Sequence, residues 1–360
     1  MYLSVSLCKK ILLLSSDIPE QMEFKVSGVT FALCPFLTLV FLPLIILLLL
    51  LYVFREVLGS CPPCQSNRRL DGKTVIITGG NAGIGKETAI DLARRGARVI
   101  LGCRSEERAR AAVRDIIAKT GNPNVVFYIL DLADLDSVRQ FAAIVLEKES
   151  RLDILINNAG IGKSAVLISG NTTKQGFDLT FGTNYLGPFL LTYLLLDKLG
   201  SSAPSQIINV SSHMHWFCLR QLNFSSETRN GVRYPCLKGY EISKLGNVMH
   251  ARELAKRLQG TGIRANSVHP GLVETEIWAP LKKKYPGWLY NILVSIRRMI
   301  GLNSTEGAQT TIYVAVDEGA REYNGRYFAK CTISKENRLA LDDSACALLW
   351  DHSMKMCGLK

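Results

Sequence analysis

Residues 73–85 constrain this chain more than any other stretch. Lys73 to Thr78 is a short β-branched run, KTVIIT, of the kind a buried parallel strand requires. It runs directly into Gly79-Gly80-Asn81-Ala82-Gly83-Ile84-Gly85. Residues 86–95 then read as a helix with Ala89, Leu92 and Ala93 apolar, and Gly96 ends it. A strand that ends in glycines and opens a helix makes a phosphate site. The glycines let the backbone approach a pyrophosphate, and the helix N–H groups face it. Further strands are predicted at 97–101, 125–130, 152–156, 207–210 and 265–268, with helical stretches between them. That alternation implies an α/β fold, a Rossmann-type doubly wound parallel sheet.

Composition narrows the class. Apolar residues are 48% and charged residues 21%, which excludes a disordered, collagen-like or coiled-coil chain. The net charge of +12 suits phosphate-bearing partners, either membranes or nucleic acids. No aromatic-basic motif or recognition helix stands out, so no nucleic-acid partner is expected. Ten cysteines are too sparse for a disulfide scaffold and read as reduced thiols facing cytosol. Cys61 and Cys64 form CPPC, but no second CxxC or CxxH follows, so the pair reads as part of a linker. No metal is expected: His213 and His215 lack a third ligand, and His250 reads as structural.

Between Lys25 and Arg55 lie 29 positions without a charge. A bilayer core takes roughly 20 apolar residues in a helix. Residues 29–54 therefore read as an uncleaved transmembrane anchor. A signal peptide would have a shorter apolar run and a small-residue cleavage site. Residues 1–28 form an N-terminal segment that carries no motif. Residues 55–71 read as a linker, 72–330 as the Rossmann-type domain and 331–360 as a C-terminal tail. The flanking charges lean towards a cytosolic C-terminal domain.

Two groups of residues carry chemistry. The end of the second strand holds Arg104 and no acid. An acid there would accept from a ribose 2′-OH, whereas a basic residue suits a 2′-phosphate; the competing reading is a solvated charge at a helix start. Tyr240 and Lys244 lie four apart, on one helix face. An ammonium beside a phenol favours the phenolate and is expected to lower the phenol's pKa. A tuned phenol can exchange a proton with a carbonyl or alcohol oxygen. The strand at 207–210 delivers Ser211 and Ser212, and the strand at 265–268 delivers residues 269–275, to the edge where ligands bind in open α/β sheets.

TGGNAGIG (78–85), NNAG (157–160), a strand-end serine, YxxxK (240–244) and PGxVxT (270–275) stand in the order of a short-chain dehydrogenase/reductase, and the chain resembles that family over about residues 71–328. Residues 181–192, Arg104 and the ending Leu349-Trp350-Asp351 resemble its retinol dehydrogenase-like branch, which includes membrane-anchored, NADP-preferring enzymes. The resemblance implies that Tyr240 is the general acid/base and that Lys244 lowers its pKa and binds the nicotinamide ribose. Ser212 would hold the substrate oxygen, and Asn184 would hold a water in a proton relay. Gly79, Asn81, Gly83, Ile84, Gly85, Arg104, Asp131, Leu132, Asn158, Pro270, Gly271, Val273 and Thr275 would line the NADP(H) site. Asp131 and Leu132 would contact adenine, and Thr275 the carboxamide or phosphates.

The implied function is interconversion of a lipophilic alcohol and its aldehyde or ketone, with retinol and retinal as the named pair. Steroids and long-chain lipid carbonyls are rivals, and a non-catalytic NADP-binding scaffold is the reading from another class. The implied setting is the endoplasmic reticulum membrane with the domain facing cytosol, and a homodimer is possible. Two departures stand out. Ser212 and Tyr240 are 28 positions apart, longer than in many members, so residues 214–238 form an aromatic insertion that either walls a pocket or packs on itself. Gly187 stands where the branch suggests a histidine or similar residue. The basic, apolar stretch 276–300 is expected to cover the substrate as a lid with some membrane contact.

Overall fold

The computed structural model describes residues 23–26, 29–32, 42–43, 45–46, 61–162, 172–218, 239–271, 273, 287 and 301–360. Residues 1–57 and 58–360 are separate compact units. In the first, β1 (Glu23–Val26) pairs antiparallel with β2 (Val29–Ala32). The first four residues of the expected anchor are thus a strand, and Leu42, Pro43, Ile45 and Ile46 are helical. The rest of 29–54 lies outside the described residues. Among the described residues, no helix is long and apolar enough to cross a membrane.

The second unit is built on an eight-stranded sheet. Its strands are β3 (Thr74–Thr78), β4 (Arg98–Cys103), β5 (Val125–Ile129), β6 (Ile154–Asn157), β7 (Ser205–Val210), β8 (Ile263–His269), β9 (Tyr327–Ala329) and β10 (Thr332–Ile333), in the spatial order β10-β9-β8-β7-β6-β3-β4-β5. All pairs are parallel except β9 with β10. The chain winds outward from β3 to β5, returns to the centre at β6 and winds outward the other way. The order reverses between β3 and β6, and open α/β sheets bind ligands at such a crevice.

Side chains alternate across a strand, so each strand feeds two cores. Ile76, Ile100, Leu155 and Ile207 enter one, and Val75, Val99, Ile156 and Ile208 enter the other. Each such side chain contributes about 1.5–3 kcal/mol through burial. The second core is closed by α1 (Gly83–Arg94), α2 (Glu106–Thr120) and α7 (Ser304–Val316). The first is closed by α3 (Leu135–Lys148), α4 (Gly187–Leu194), α5 (Leu196–Ser201), α6 (Gly239–Arg257), α8 (Arg338–Leu341) and α9 (Asp343–Met356).

Two boundaries differ from the sequence reading. The linker is part of the domain from Cys61 onward. Leu70 is fully buried, and Arg95 donates to the carbonyls of Ser66 and Arg68 at 2.6 and 3.1 Å. The C-terminal residues 331–360 are not a tail. The Trp350 ring stands edge-on to Phe189 at 5.0 Å and under the Arg257 guanidinium at 4.6 Å. Ser353 shares a hydrogen bond of 2.9 Å with Tyr185. The apolar face of α9 (Leu349, Trp350, Met354) supplies the reason, because only burial against α4 and α6 removes it from water. The insertion from 219 to 238 and nearly all of the expected lid at 276–300 lie outside the described residues.

Candidate active site

The glycine turn sits at the reversal of strand order. Gly79 and Gly83 have φ of +66° and +54°, which only glycine adopts cheaply. A Cβ on Gly85 would stand 2.4 Å from Asn158 Nδ2 and 2.6 Å from the Gly79 carbonyl. The turn is held by Asn158, whose side-chain amide donates to the Thr78 carbonyl at 2.9 Å. Thr78 Oγ1 in return accepts from the N–H groups of Asn158 and Ala159, both at 3.0 Å. Asn158 is therefore a brace between β3 and β6 as well as a candidate cleft residue.

The N-terminus of α1 is chemically distinctive. Its first turn holds no acid, and Ala82 offers no side-chain cap. By contrast α2, α3, α7 and α9 are each capped by Ser105, Asp134, Asn303 or Asp342. Helix N–H groups without a side-chain acceptor fit a pyrophosphate. Arg104 follows β4 directly, is exposed, and has no carboxylate partner among the described residues. Asn81 and Ile84 are half-buried in the turn, and the buried Cys103 thiol beneath hydrogen-bonds to the backbone of Asn81 and Gly80.

Asp131 and Leu132 follow β5. The Asp131 carboxylate accepts from the Ala133 N–H at 3.0 Å, which fixes the loop, and Leu132 is buried. A Cβ on Gly187 would meet the Leu132 carbonyl at 2.5 Å. That contact accounts for glycine where the family suggests a larger residue. On the other side, Gly271 has φ +88°, and Val273 bridges to Leu302. Val273 and Ile84 both pack on Gly307 of α7, where a Cβ would come within 2.4 and 3.3 Å of them. Pro270 lines a cavity described below. Thr275 lies outside the described residues.

Ser212, Tyr240, Lys244 and Asn184 converge at the C-terminal edge of the sheet. Ser212 and Tyr240 are joined by a side-chain hydrogen bond. Ser211 instead is buried and donates to the Lys244 carbonyl at 2.6 Å, which leaves Ser212 as the available hydroxyl. Lys244 Nζ lies 5.6 Å from the centre of the Tyr240 ring and donates to the Val210 carbonyl at 3.0 Å. Asn184 sits in a π-helical turn (Gly182–Leu186) that leads into α4, a distortion common at functional sites. Its amide pairs with Ile161 in both directions, at 2.8 and 3.0 Å, and reaches Ser243 at 3.3 Å. Gly160 lies between Asn184 and Lys244, since a Cβ there would stand 3.4 Å from both Asn184 Oδ1 and Lys244 Nζ.

The electrostatics correct one expectation. Burial pushes the Tyr240 phenol up, with Ser212's hydrogen bond acting against it and Glu241 adding to it. Lys244 is not the controlling charge. Its own ammonium is wholly enclosed, and burial pulls it down to about 8. Desolvation disfavours both charged forms and is the leading cause of each shift.

Sequence reasoning missed a cavity of about 230 Å³ lined by Cys61, His213, His269, Pro270 and Lys330 among others. His213 directly follows Ser212, so the cavity adjoins the site. His269 is half-buried, its Nδ1 has no hydrogen-bond partner, and desolvation holds the ring near 3, hence neutral. The strand-end position of His269 was the available signal. Nothing in the sequence linked Cys61 or Lys330 to this region. Among the described residues, no group of His, Cys, Asp or Glu could hold a metal.

Comparison with known proteins agrees with this geometry. The short chain dehydrogenase family model matches residues 73–217 and 222–286. The chain belongs to the short-chain dehydrogenase/reductase family, whose members are oxidoreductases that bind a nicotinamide cofactor. It is 45% identical over 303 residues to dehydrogenase/reductase SDR family member 13 of Bos taurus, covering 84% of this chain and 78% of that protein. It is 40% identical over 326 residues to retinol dehydrogenase 11 of Mus musculus, covering 90% of this chain and 98% of that protein. The RhlG/NADP active-site complex of Pseudomonas aeruginosa matches with a TM-score of 0.56 and 27% identity, over 72% of this chain and 95% of that one.

Proposed function

We propose that the protein is an NADP(H)-dependent oxidoreductase that interconverts a lipophilic alcohol and its aldehyde or ketone. Retinol and retinal are the leading pair, and steroid or long-chain lipid carbonyls are the alternative. The hydrogen-bonded Ser212 and Tyr240 beside Lys244 carry this reading. Arg104, exposed and without a carboxylate, supports the 2′-phosphate. The exposed Trp216 and Phe217, just beyond Ser212, support a lipophilic substrate. So does the likeness to retinol dehydrogenase 11 of Mus musculus.

A bound nicotinamide supplies or accepts the hydride at the substrate carbon. The residues of this chain bind, orient and manage the proton. The uncapped N-terminus of α1 takes the pyrophosphate, and Lys244 reaches ribose hydroxyls. The Ser212 hydroxyl donates to the substrate oxygen where negative charge develops. Tyr240, protonated at neutral pH because burial raises its phenol, delivers its proton to the same oxygen during reduction. Asn184 holds the far side of the proton path near Lys244. The apolar segment 29–54 anchors the protein in the endoplasmic reticulum membrane with the domain facing cytosol.

The test is the Tyr240→Phe protein. NADPH affinity should survive and turnover should collapse. Equal turnover in the variant would exclude Tyr240 as the proton donor, and NADPH binding with no turnover in either protein would favour a scaffold.

A further inference from the structure

Cys61 and Cys64 are neighbours in the CPPC sequence, but the structure places Cys61 beside a residue 270 positions away. Cys61 Sγ lies 4.0 Å from Cys331 Sγ. Residues 61–66 run along α7, held by Cys64 N–H donating to Gln309 at 2.9 Å and by Cys61 Sγ against Thr310 Oγ1 at 3.4 Å. Cys331 lies between β9 and β10, where Lys330 and Cys331 have φ of +53° and +56°. Its N–H donates to Thr310 Oγ1 and its thiol to the Pro62 carbonyl, both at 3.4 Å. Thr310 thus sits between the two cysteines, and both are partly exposed. Cys103, Cys346 and Cys357 are buried.

We propose that Cys61 and Cys331 form a peroxide-oxidisable pair whose disulfide fastens the 61–64 segment to the β9–β10 turn along the wall of the cavity that adjoins the candidate active site. Reactivity falls to Cys61, because the thiolate is the attacking form. The contact with Cys331 pulls the Cys61 thiol down to about 7, whereas Cys331 is pushed up. The Cys61 thiolate attacks the peroxide O–O bond. One oxygen stays on sulfur as sulfenic acid, and the other leaves as hydroxide and takes up a proton to become water. The Cys331 sulfur then forms the S–S bond as the S–OH bond breaks, and its thiol proton leaves with the hydroxyl as a second water. The two thiols lose two electrons and the peroxide gains them. The S–S bond is about 2.05 Å long, so closure draws the two segments together. Both Cys61 and Lys330 line the cavity, so the lock acts on its wall.

The test uses the full chain in detergent, treated with hydrogen peroxide, quenched by alkylation and mapped by non-reducing peptide mass spectrometry. The expected product is a Cys61–Cys331 cross-link that dithiothreitol removes. It should persist in Cys64→Ser and vanish in Cys61→Ser. In Cys331→Ser, Cys61 should halt as a dimedone-reactive sulfenic acid. A Cys61–Cys64 disulfide would overturn the proposal. So would oxidation of Cys61 no faster than that of Cys103, Cys346 and Cys357. The wild-type map alone decides the pairing, should a variant fold poorly.

Discussion

In the proposed function, Tyr240 and Arg104 are the two residues on which the chemistry and the cofactor choice turn. The phenol is enclosed and hydrogen-bonded to Ser212, so it holds its proton at neutral pH. Removing it in Tyr240→Phe should lower kcat roughly 10²–10⁴-fold, the usual worth of a positioned acid/base, while cofactor affinity stays within a few-fold. Fluorescence titration with NADPH separates the two effects. Arg104→Glu tests the other residue. A hydrogen bond to a charged group is worth about 1.5–3 kcal/mol, so NADPH affinity should fall roughly 10–100-fold. NADH affinity should hold or improve, and parallel loss of both would reassign Arg104 to folding. At this scale the sequence marks candidate residues and leaves their electrostatics open. YxxxK names the residues, but the direction of the phenol's shift depends on how deeply Tyr240 and Lys244 are buried, which spacing does not encode.

The elements were legible where local pattern decides them. The strand runs at β3, β4 and β5 are β-branched and flanked by turn residues, and they stand within a few residues of where the sequence put them. The helix after the glycine turn begins earlier, at Gly83, because the glycines themselves form its first turn. The π turn at Gly182–Leu186 had no sequence signal, since helix and π segment share one hydrophobic pattern. The linker and the C-terminal residues pack on the domain through contacts from residues far away in sequence, which local pattern does not show. Gly187 offers a test at this scale. A methyl group in Gly187→Ala would meet the Leu132 carbonyl, a backbone atom that cannot turn aside. Such overpacking costs about 1–3 kcal/mol, and the urea midpoint should fall accordingly. An unchanged midpoint would show that α4 is free to shift.

The whole domain has a pH dependence set by its buried histidines. Burial holds His215 near 4 and His250 and His269 near 3, against about 6.5 when unfolded. Between those values the unfolded chain binds more protons, so stability falls as pH drops below about 6.5. Each histidine contributes up to about 1.4 kcal/mol per pH unit, and Tm at pH 5.5 should lie well below that at pH 7.5. His250→Leu should flatten the slope. At the other end, Lys244 stays near 8 against an unfolded value of 10.5, so its neutral form favours the fold and stability from this group rises between those pH values. The same molecule is an oxidoreductase of its family by sequence and by fold, and its proposed NADP(H) chemistry is open to one direct measurement. Full-length protein in detergent is given NADPH or NADH with retinal, a steroid ketone or a long-chain aldehyde, and loss of the reduced cofactor's absorbance is followed. NADPH should be consumed in preference to NADH with at least one lipophilic carbonyl, and Tyr240→Phe should abolish the signal. Preference for NADH, or turnover that survives Tyr240→Phe, would contradict it.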